Sequence, residues 1–242
     1  MKTNKTIPVV IFVLVTLIVG LTIFLITDSK FSANAQNQNN NQSMNNTNQN
    51  SDPIDNIDMA WTKGPEDAKI KIIEYSEFQC PFCKKGADTI GQIYEKYSND
   101  IQLTFVHFPL TSIHPQALQA AKAAEAAGYQ GKFWEMHDLL FANQSNLTRE
   151  DILSYAKKLE LDIDKFERYF DNTNIEDKIK NNMAEIEEKT FEEITVNENG
   201  EIVVKDQEAK IQGVPAFLIN GRLLAGAYPF ESFEKVILDL LK

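Results

Sequence analysis

The chain has 242 residues, of which 43% are hydrophobic, and this composition excludes a protein that is disordered throughout. Its formal charge is −11 and none of its charge runs is basic, which excludes nucleic acid as an expected partner because binding phosphates requires clustered lysine and arginine. The length suits one sizeable domain or two small ones.

The N-terminal residues 1–30 are predicted to be a cytoplasmic stub followed by a transmembrane anchor. Ile7 to Ile26 carries no charge, and about twenty apolar residues are what a helix needs to cross the hydrocarbon core of a bilayer. Lys2 and Lys5 precede this run, so the positive-inside rule places the N-terminus in the cytoplasm. The alternative is a cleaved signal peptide, since "ANA" at residues 33–35 has the form of a cleavage site.

Residues 31–53 are predicted to be a disordered linker, because asparagine and glutamine dominate them and neither can build a core. A globular domain then occupies residues 54–242. With either N-terminal alternative, this domain is expected to be extracytoplasmic, either periplasmic or outside a Gram-positive cell.

The first half of this domain begins with a strand, a helix and a second strand. The stretch from Ala68 to Phe78 is short and rich in β-branched and aromatic residues, which is typical of a buried strand. Apolar residues at helical spacing follow from Lys84 to Tyr97, and Ile101 to Phe108 is a second strand that ends before Pro109. Residues 114–188 then change to a period of 3.6, which predicts a block of several helices.

The second half returns to strands. The stretch from Phe191 to Asp206 alternates apolar and polar residues around Asn199-Gly200, a strong signal for a β-hairpin. "GVPAFLING" and "RLLAG" are two further short strands, and residues 229–242 form an amphipathic helix. This order predicts an α/β domain in which a helical block interrupts the sheet.

The only two cysteines, Cys80 and Cys83, lie where the first strand hands over to the first helix. Residues three apart on a first helical turn share one face, and Pro81 suits the first helical position. The partial positive charge of a helix N-terminus favours the thiolate of Cys80, which makes this residue the expected nucleophile.

A metal site and a structural disulfide are the alternatives to a redox role for the cysteine pair. A structural zinc site needs about four ligands, and only His107, His114 and His137 could add to the two thiols. A structural disulfide across two intervening residues closes too short a loop to stabilise the fold much. Redox catalysis is therefore the favoured interpretation, and the three histidines are expected to be structural, with His114 capping or orienting a helix start.

The combination of "IIEYSEFQCPFC", "FPL…HP", "KFWEMHDLLF" and "GVPAFLING" resembles the DsbA-like thiol:disulfide oxidoreductases of the thioredoxin superfamily. The resemblance covers about Ile70 to Lys242. It implies a thioredoxin-like fold with an inserted helical block at about 114–188 and an extra β-hairpin, preceded by the N-terminal transmembrane helix.

The resemblance also implies roles for residues outside the cysteine pair. Pro215 is expected to be cis and to pack beside the cysteines, while Val214 offers its backbone to an extended substrate segment. Pro81 and Phe82 are expected to tune the reduction potential and to contact substrate. Glu74 is expected to be a buried proton acceptor for Cys83.

The predicted activity is disulfide exchange with secreted or envelope proteins, in the direction of a dithiol oxidase. The redox-active Cys80–Cys83 disulfide needs no further cofactor, and no metal is expected. Reduced or unfolded exported proteins are the expected substrates, and reoxidation is assigned to a membrane partner of the DsbB or VKOR type. The alternatives are an exported reductase and, less favoured, a copper-binding chaperone on the same fold.

Overall fold

Seven strands form one mixed sheet in the computed structural model of the protein, which describes residues 60–198 and 201–242. The strands are β1 (Ala60–Lys63), β2 (Ile70–Ser76), β3 (Ile101–His107), β4 (Phe191–Val196), β5 (Ile202–Ala209), β6 (Ala216–Ile219) and β7 (Arg222–Ala225). The helices within the described residues are α1 (Pro81–Tyr97), α2 (Ala117–Gly128), α3 (Phe133–Ala142), α4 (Arg149–Lys158), α5 (Ile163–Phe170), α6 (Thr173–Glu187) and α7 (Phe230–Leu240). The predicted α/β order is confirmed, and β1 is a strand that the sequence patterns did not indicate.

The strands are ordered β1-β3-β2-β6-β7-β4-β5 across the sheet. β2 and β3 run parallel through a crossover that contains α1, whereas β6 runs antiparallel to β2. In this register Glu74 lies opposite Phe217, and Tyr75 lies opposite Ala216. The start of β6 therefore meets the end of β2, which places the residues before Ala216 next to the N-terminus of α1.

Two apolar clusters cover the two faces of the sheet. Ile70 and Ile72 pack with Ile90 and Ile93 of α1 in a cluster that also includes Phe233 of α7. Tyr75, pointing to the other face, packs in a second cluster with Ile186 of α6. Because side chains of a strand alternate between faces, the pattern of β2 buries both faces of the central sheet.

The helical block between β3 and β4 is confirmed as α2 to α6. Seven alanines of α2 are buried, and their small side chains allow close packing against neighbouring elements. A capping box is present at the start of α4, with reciprocal hydrogen bonds between Thr148 and Asp151.

The predicted hairpin is confirmed as β4 and β5, which pair antiparallel. Its second strand extends to Ala209, and the turn residues Asn199-Gly200 lie outside the described residues. β4 joins the main sheet by parallel pairing with β7, so β5 forms the outer edge of the sheet.

The predicted anchor at residues 1–30 and the predicted linker at 31–53 lie outside the described residues and stay predictions. Within residues 60–198 and 201–242, every helix is too short or too polar to cross a membrane.

Candidate active site

Cys80 is the residue that precedes the first turn of α1, and Pro81 occupies the first helical position. Proline fits there because the first backbone N–H groups of a helix have no partner within it. The Cys80 carbonyl already accepts the N–H of Lys84 at 3.1 Å, so the helix begins directly at the cysteine. Its side chain is 5% exposed, and both cysteines are free thiols in this structure.

Polar groups surround the sulfur of Cys80. The Cys83 thiol and the backbone N–H groups of Cys83 and Phe82 can all donate to it, and His114 lies nearby. These groups lower the pKa of Cys80 to about 6, although partial burial opposes the shift. Cys80 is therefore prepared to be a thiolate at neutral pH.

Cys83 differs from Cys80 because its side chain is fully buried beneath the first turn of α1. Burial raises the pKa of Cys83, and the neighbouring Cys80 raises it further. Hydrogen bonds from Ser76 and from the backbone of Glu77 oppose these effects. Cys83 is therefore held as a neutral thiol and is shielded from large partners.

The Val214-Pro215 bond is cis, as the resemblance implied, and it lies beside the cysteine pair. The Cys80 thiol donates to the Val214 carbonyl over 3.8 Å. Gly86 of α1 faces Pro215, because a Cβ atom at Gly86 would lie 3.0 Å from Pro215 Cγ and 3.1 Å from Phe217 Cζ. The glycine thus allows α1 and the proline loop to approach closely.

Glu74 is buried in β2, with 1% of its surface exposed. Burial raises the pKa of Glu74 to about 8, although the positive charge of Lys63 opposes the shift. Its Oε1 atom has no hydrogen-bond partner among the described residues. Ser76 lies two residues further along the same strand face and interacts with the Cys83 thiol, so Glu74 belongs to the buried side of the site.

Glu77 and His114 are two site residues that the sequence interpretation did not assign to the site. The Glu77 side chain is buried; Oε2 accepts the N–H of Gln79 at 2.6 Å and Oε1 is hydrogen-bonded to Nδ1 of His114. One polar atom from each of Glu77, His114 and Cys80 lies within 4.8 Å of the other two. His114 was expected to cap or orient a helix start; its carbonyl accepts the N–H of Ala117 at the start of α2, and its ring also lies beside Cys80.

The part of the chain that carries the CxxC pair and the cis-proline loop matches the model of a known protein family. The family model described as "Thioredoxin" covers residues 57–239 of this chain. The chain belongs to the thioredoxin family. The predicted membership of the thioredoxin superfamily is thereby confirmed.

Curated relatives of this thioredoxin-family chain include much longer proteins. It is 34% identical over 185 residues to the Na(+)/H(+) antiporter NhaA 1 of Salinispora arenicola, covering 76% of this chain and 25% of that one. It is 28% identical over 175 residues to the Na(+)/H(+) antiporter NhaA of Herminiimonas arsenicoxydans, covering 72% and 24%. The chain thus spans about a quarter of the length of these relatives.

Solved structures share the fold. A thioredoxin-like oxidoreductase from Silicibacter pomeroyi superposes with a TM-score of 0.58 at 18% identity, covering 78% of this chain and 92% of that one. The thiol-disulfide exchange protein α-DsbA2 from Wolbachia pipientis superposes with a TM-score of 0.56 at 20% sequence identity, covering 74% of this chain and 86% of that one. A periplasmic thioredoxin-like protein from Salmonella enterica serovar Typhimurium superposes with a TM-score of 0.51 at 19% sequence identity, covering 80% of this chain and 98% of that one.

The helical block of this thioredoxin-family domain is tied to the cysteine loop by Gln144, which the sequence interpretation also missed. Its side-chain amide donates to the carbonyl oxygens of Phe78 and Cys80 at 2.8 and 2.9 Å. A second link runs from the Gln116 N–H to Gln79 Oε1 at 2.7 Å. An isolated glutamine in a helical region carries no sequence signal for this role, because only the tertiary contact defines it.

Pro81 and Phe82 lie at the rim of the site, where a substrate could contact them. Phe82 is 61% exposed, which is unusual for a large apolar side chain. The Lys85 ammonium group lies 5.3 Å from the centre of its ring. Both residues are accessible next to Cys80.

A groove of about 540 Å³ leads from the Val214-Pro215 loop to the hairpin. Glu193 of β4 and Lys205 of β5 line it and form an ion pair at 2.7 Å. The hairpin therefore forms one wall of a groove that reaches Val214, whose carbonyl oxygen lies 3.8 Å from Cys80 Sγ.

The remaining two histidines lie in the core, as expected. His107 is bonded to Glu125 at 2.9 Å, and Trp61 donates to the same carboxylate oxygen at 2.8 Å. His137 packs edge-on against Phe105, and burial lowers its pKa.

Proposed function

We propose that this protein is an exported dithiol oxidase that introduces disulfides into secreted or envelope proteins through Cys80 and Cys83. One observation carries this proposal, namely the opposite environments of the two sulfurs. The pKa of Cys80 is lowered to about 6 by donors around its sulfur, whereas burial raises the pKa of Cys83. A stabilised Cys80 thiolate favours the reduced form of the pair, and a pair that is stable when reduced is an oxidant.

The first step is attack on the Cys80–Cys83 disulfide by a substrate thiolate. A bond forms between the substrate sulfur and Cys80 Sγ, the bond between the two cysteines breaks, and the electron pair leaves on Cys83. A low pKa makes Cys80 the preferred leaving group in the second step, where a second substrate thiolate attacks the substrate sulfur of the mixed disulfide. The substrate loses two electrons to the pair, and Cys80 departs as a thiolate.

The departing Cys83 must gain a proton, because its buried site disfavours a charge. Glu74, whose pKa is raised to about 8, is a buried acid on the same side of the sheet and can be protonated at neutral pH. Ser76 lies two residues after Glu74 on the same face of β2, and its side chain interacts with the Cys83 thiol. We assign Glu74 the role of proton store for Cys83, reached through Ser76 or a water molecule.

Substrate is proposed to bind in extended form across the Val214-Pro215 loop. The Val214 carbonyl lies 3.8 Å from Cys80 Sγ, so a strand that pairs with this backbone would carry its cysteine to the nucleophile. The groove beside the loop extends the contact toward the hairpin, and exposed Phe82 offers an apolar contact on the other side. Backbone pairing suits a protein with many different substrates, because it does not depend on substrate side chains.

Turnover requires an oxidant, since the chain contains no third cysteine to accept electrons. We assign this role to a quinone-linked membrane protein of the DsbB or VKOR type, with the predicted N-terminal anchor holding the domain at the membrane. The acceptor would take two electrons from the reduced pair and restore the disulfide.

The direction of exchange is tested by measuring the reduction potential of the Cys80–Cys83 pair in glutathione buffers. A potential near about −120 mV, together with oxidative refolding of a reduced substrate protein, would support the oxidase. A potential near about −270 mV would overturn that direction in favour of an exported reductase. Failure of the pair to cycle at all would reject both.

A further inference from the structure

The dipeptide between the cysteines is Pro-Phe and holds no cation, yet a histidine lies beside Cys80 from another segment. His114 comes from the loop between β3 and α2 and is separated from Glu77, its partner, by 37 residues. Three atoms lie within 4.8 Å of one another, namely a ring nitrogen of His114, a carboxylate oxygen of Glu77 and Cys80 Sγ. Three chain segments therefore meet at the sulfur of the nucleophile.

His114 is held in place on more than one side. Its backbone N–H donates to the Leu110 carbonyl at 2.9 Å, and Gln116 two residues later donates to Gln79 beside the cysteine at 2.7 Å. The buried Glu77 carboxylate accepts from Nδ1 of the ring. A ring fixed in this way loses little additional entropy when it interacts with Cys80.

The hydrogen bond to Glu77 also sets which ring nitrogen carries a proton. When Nδ1–H donates to the carboxylate, protonation of the ring occurs at Nε2 and produces an imidazolium ion. Glu77 stabilises this cation, and the cation stabilises a thiolate within a few ångströms. Both oxygens of Glu77 accept hydrogen bonds, from Gln79 and from His114, which reduces the repulsion between this carboxylate and Cys80.

We infer that His114, held by Glu77, is a positioning residue that stabilises the Cys80 thiolate and biases the pair toward oxidising its substrates. This inference rests on the proposed disulfide exchange at Cys80. The groups that face Cys80 are the Cys83 thiol and helix N–H groups from α1, Glu77 from the preceding loop, His114 from the loop before α2, and the Val214 carbonyl. Of these, only His114 can supply a full positive charge.

The consequence is a shift in a balanced equilibrium. The reduced pair and one molecule of oxidised glutathione convert to the disulfide and two molecules of reduced glutathione. Stabilising the Cys80 thiolate opposes this conversion, so removing the cation should make the pair easier to oxidise and weaken it as an oxidant.

The test uses His114→Gln, which keeps a side-chain amide that can bond to Glu77 but removes the charge. The pKa of Cys80 is read from thiolate absorbance near 240 nm, and the equilibrium constant is measured in glutathione buffers. The expected result is a rise of about one unit in the pKa of Cys80 and an approximately tenfold shift in the constant, equal to about 30 mV.

Two further variants separate charge from structure. His114→Lys restores a positive charge without an imidazole ring, and it should keep the equilibrium closer to the wild type than His114→Gln does. Lys84→Gln removes a charge from the first turns of α1, and because Lys84 pairs with Asp88 at 2.9 Å, it should leave the equilibrium unchanged.

Equal shifts in the Gln and Lys variants would overturn the inference, since they would indicate a structural role for the ring. So would an unchanged pKa of Cys80 in a folded His114→Gln protein, with folding confirmed by its thermal unfolding curve. Failure of the proposed function is a different result, because the wild-type pair itself would then show no reversible exchange with glutathione.

Discussion

The two sulfurs of this protein lie one helical turn apart, and their surroundings are opposite. The Cys80 side is built from backbone N–H groups, a histidine and the Val214 carbonyl, all gathered at the N-terminus of α1. The Cys83 side is built from the apolar core and includes Glu74, a buried acid whose pKa is raised to about 8. A spacing of three residues places the cysteines close together, but the groups that surround them lower the pKa of Cys80 and raise the pKa of Cys83.

This contrast shows how one short motif can divide a reaction between two identical side chains. Charge is favoured where donors converge and disfavoured where the core excludes water. The sheet register supports the division, because it brings the proline loop to Cys80 and leaves Glu74 beneath the helix. Four changes to the chain test different parts of this comparison.

Separate replacement of the two cysteines should give the largest and most unequal effects. Cys80→Ser removes the attacking sulfur and should lower oxidative refolding activity by at least about 10³-fold. Cys83→Ser should also stop turnover, but it leaves Cys80 able to form mixed disulfides that accumulate. Non-reducing gel electrophoresis after incubation with a reduced substrate protein and a small disulfide measures these complexes. Complexes formed by Cys80→Ser instead would reverse the assigned roles.

Replacement of Glu74 by Gln should alter the pH dependence of stability on the buried side. The folded-state pKa of about 8 lies above the unfolded value of about 4.3, so the folded protein retains a proton that the unfolded chain releases. The free energy of unfolding should therefore fall by roughly 4 kcal/mol as the pH rises from about 4.5 to 8. Urea unfolding across this range measures the slope, which Glu74→Gln should flatten.

An unchanged slope in Glu74→Gln would contradict the assignment of a buried, protonated acid. Other titrating groups contribute equally to both proteins, so the comparison between them isolates Glu74. A control at Glu231, an exposed acid of α7, should leave the slope as in the wild type.

Replacement of Gly86 by Ala should disturb the junction between α1 and the proline loop. The added methyl group would meet Pro215 Cγ at 3.0 Å and Phe217 Cζ at 3.1 Å, and a proline ring between packed elements has little room to move. Overpacking of this kind costs about 1 to 3 kcal/mol. Gly91→Ala on the same helix is the matched control, since a Cβ atom at Gly91 would have no neighbour within 4 Å. Equal unfolding temperatures for the two variants would show that the proline loop accommodates the added methyl group without destabilising the fold.

Reversal of charge in the hairpin groove should give the smallest effect. Lys205→Glu places a second acid beside Glu193 and should raise KM for a reduced substrate protein a few-fold while leaving kcat unchanged. Lys189→Glu is the control, because Lys189 is similarly exposed and pairs with Glu185 outside the groove. Equal KM values for the two variants would indicate that substrates do not reach the hairpin.

Much of the fold followed from local patterns in the sequence. Alternation and helical spacing predicted β2, β3, the helical block and the hairpin, because each depends on residues close together in the chain. β1 was missed since its four residues, two of them polar, are too short to show a period. The cysteine pair was visible because a short spacing at a strand-to-helix junction carries its own chemistry.

The sequence by itself determined the reacting atoms: two cysteines at a helix N-terminus, with a dipole and a proline that suit the first turn. The tertiary structure alone decided what surrounds them. His114, Gln144 and Val214 lie 34, 64 and 134 residues from Cys80, and no periodicity connects positions so far apart. The pKa of a thiol depends on the groups that fold against it, so the chemistry of Cys80 is set by contacts that only the complete fold creates.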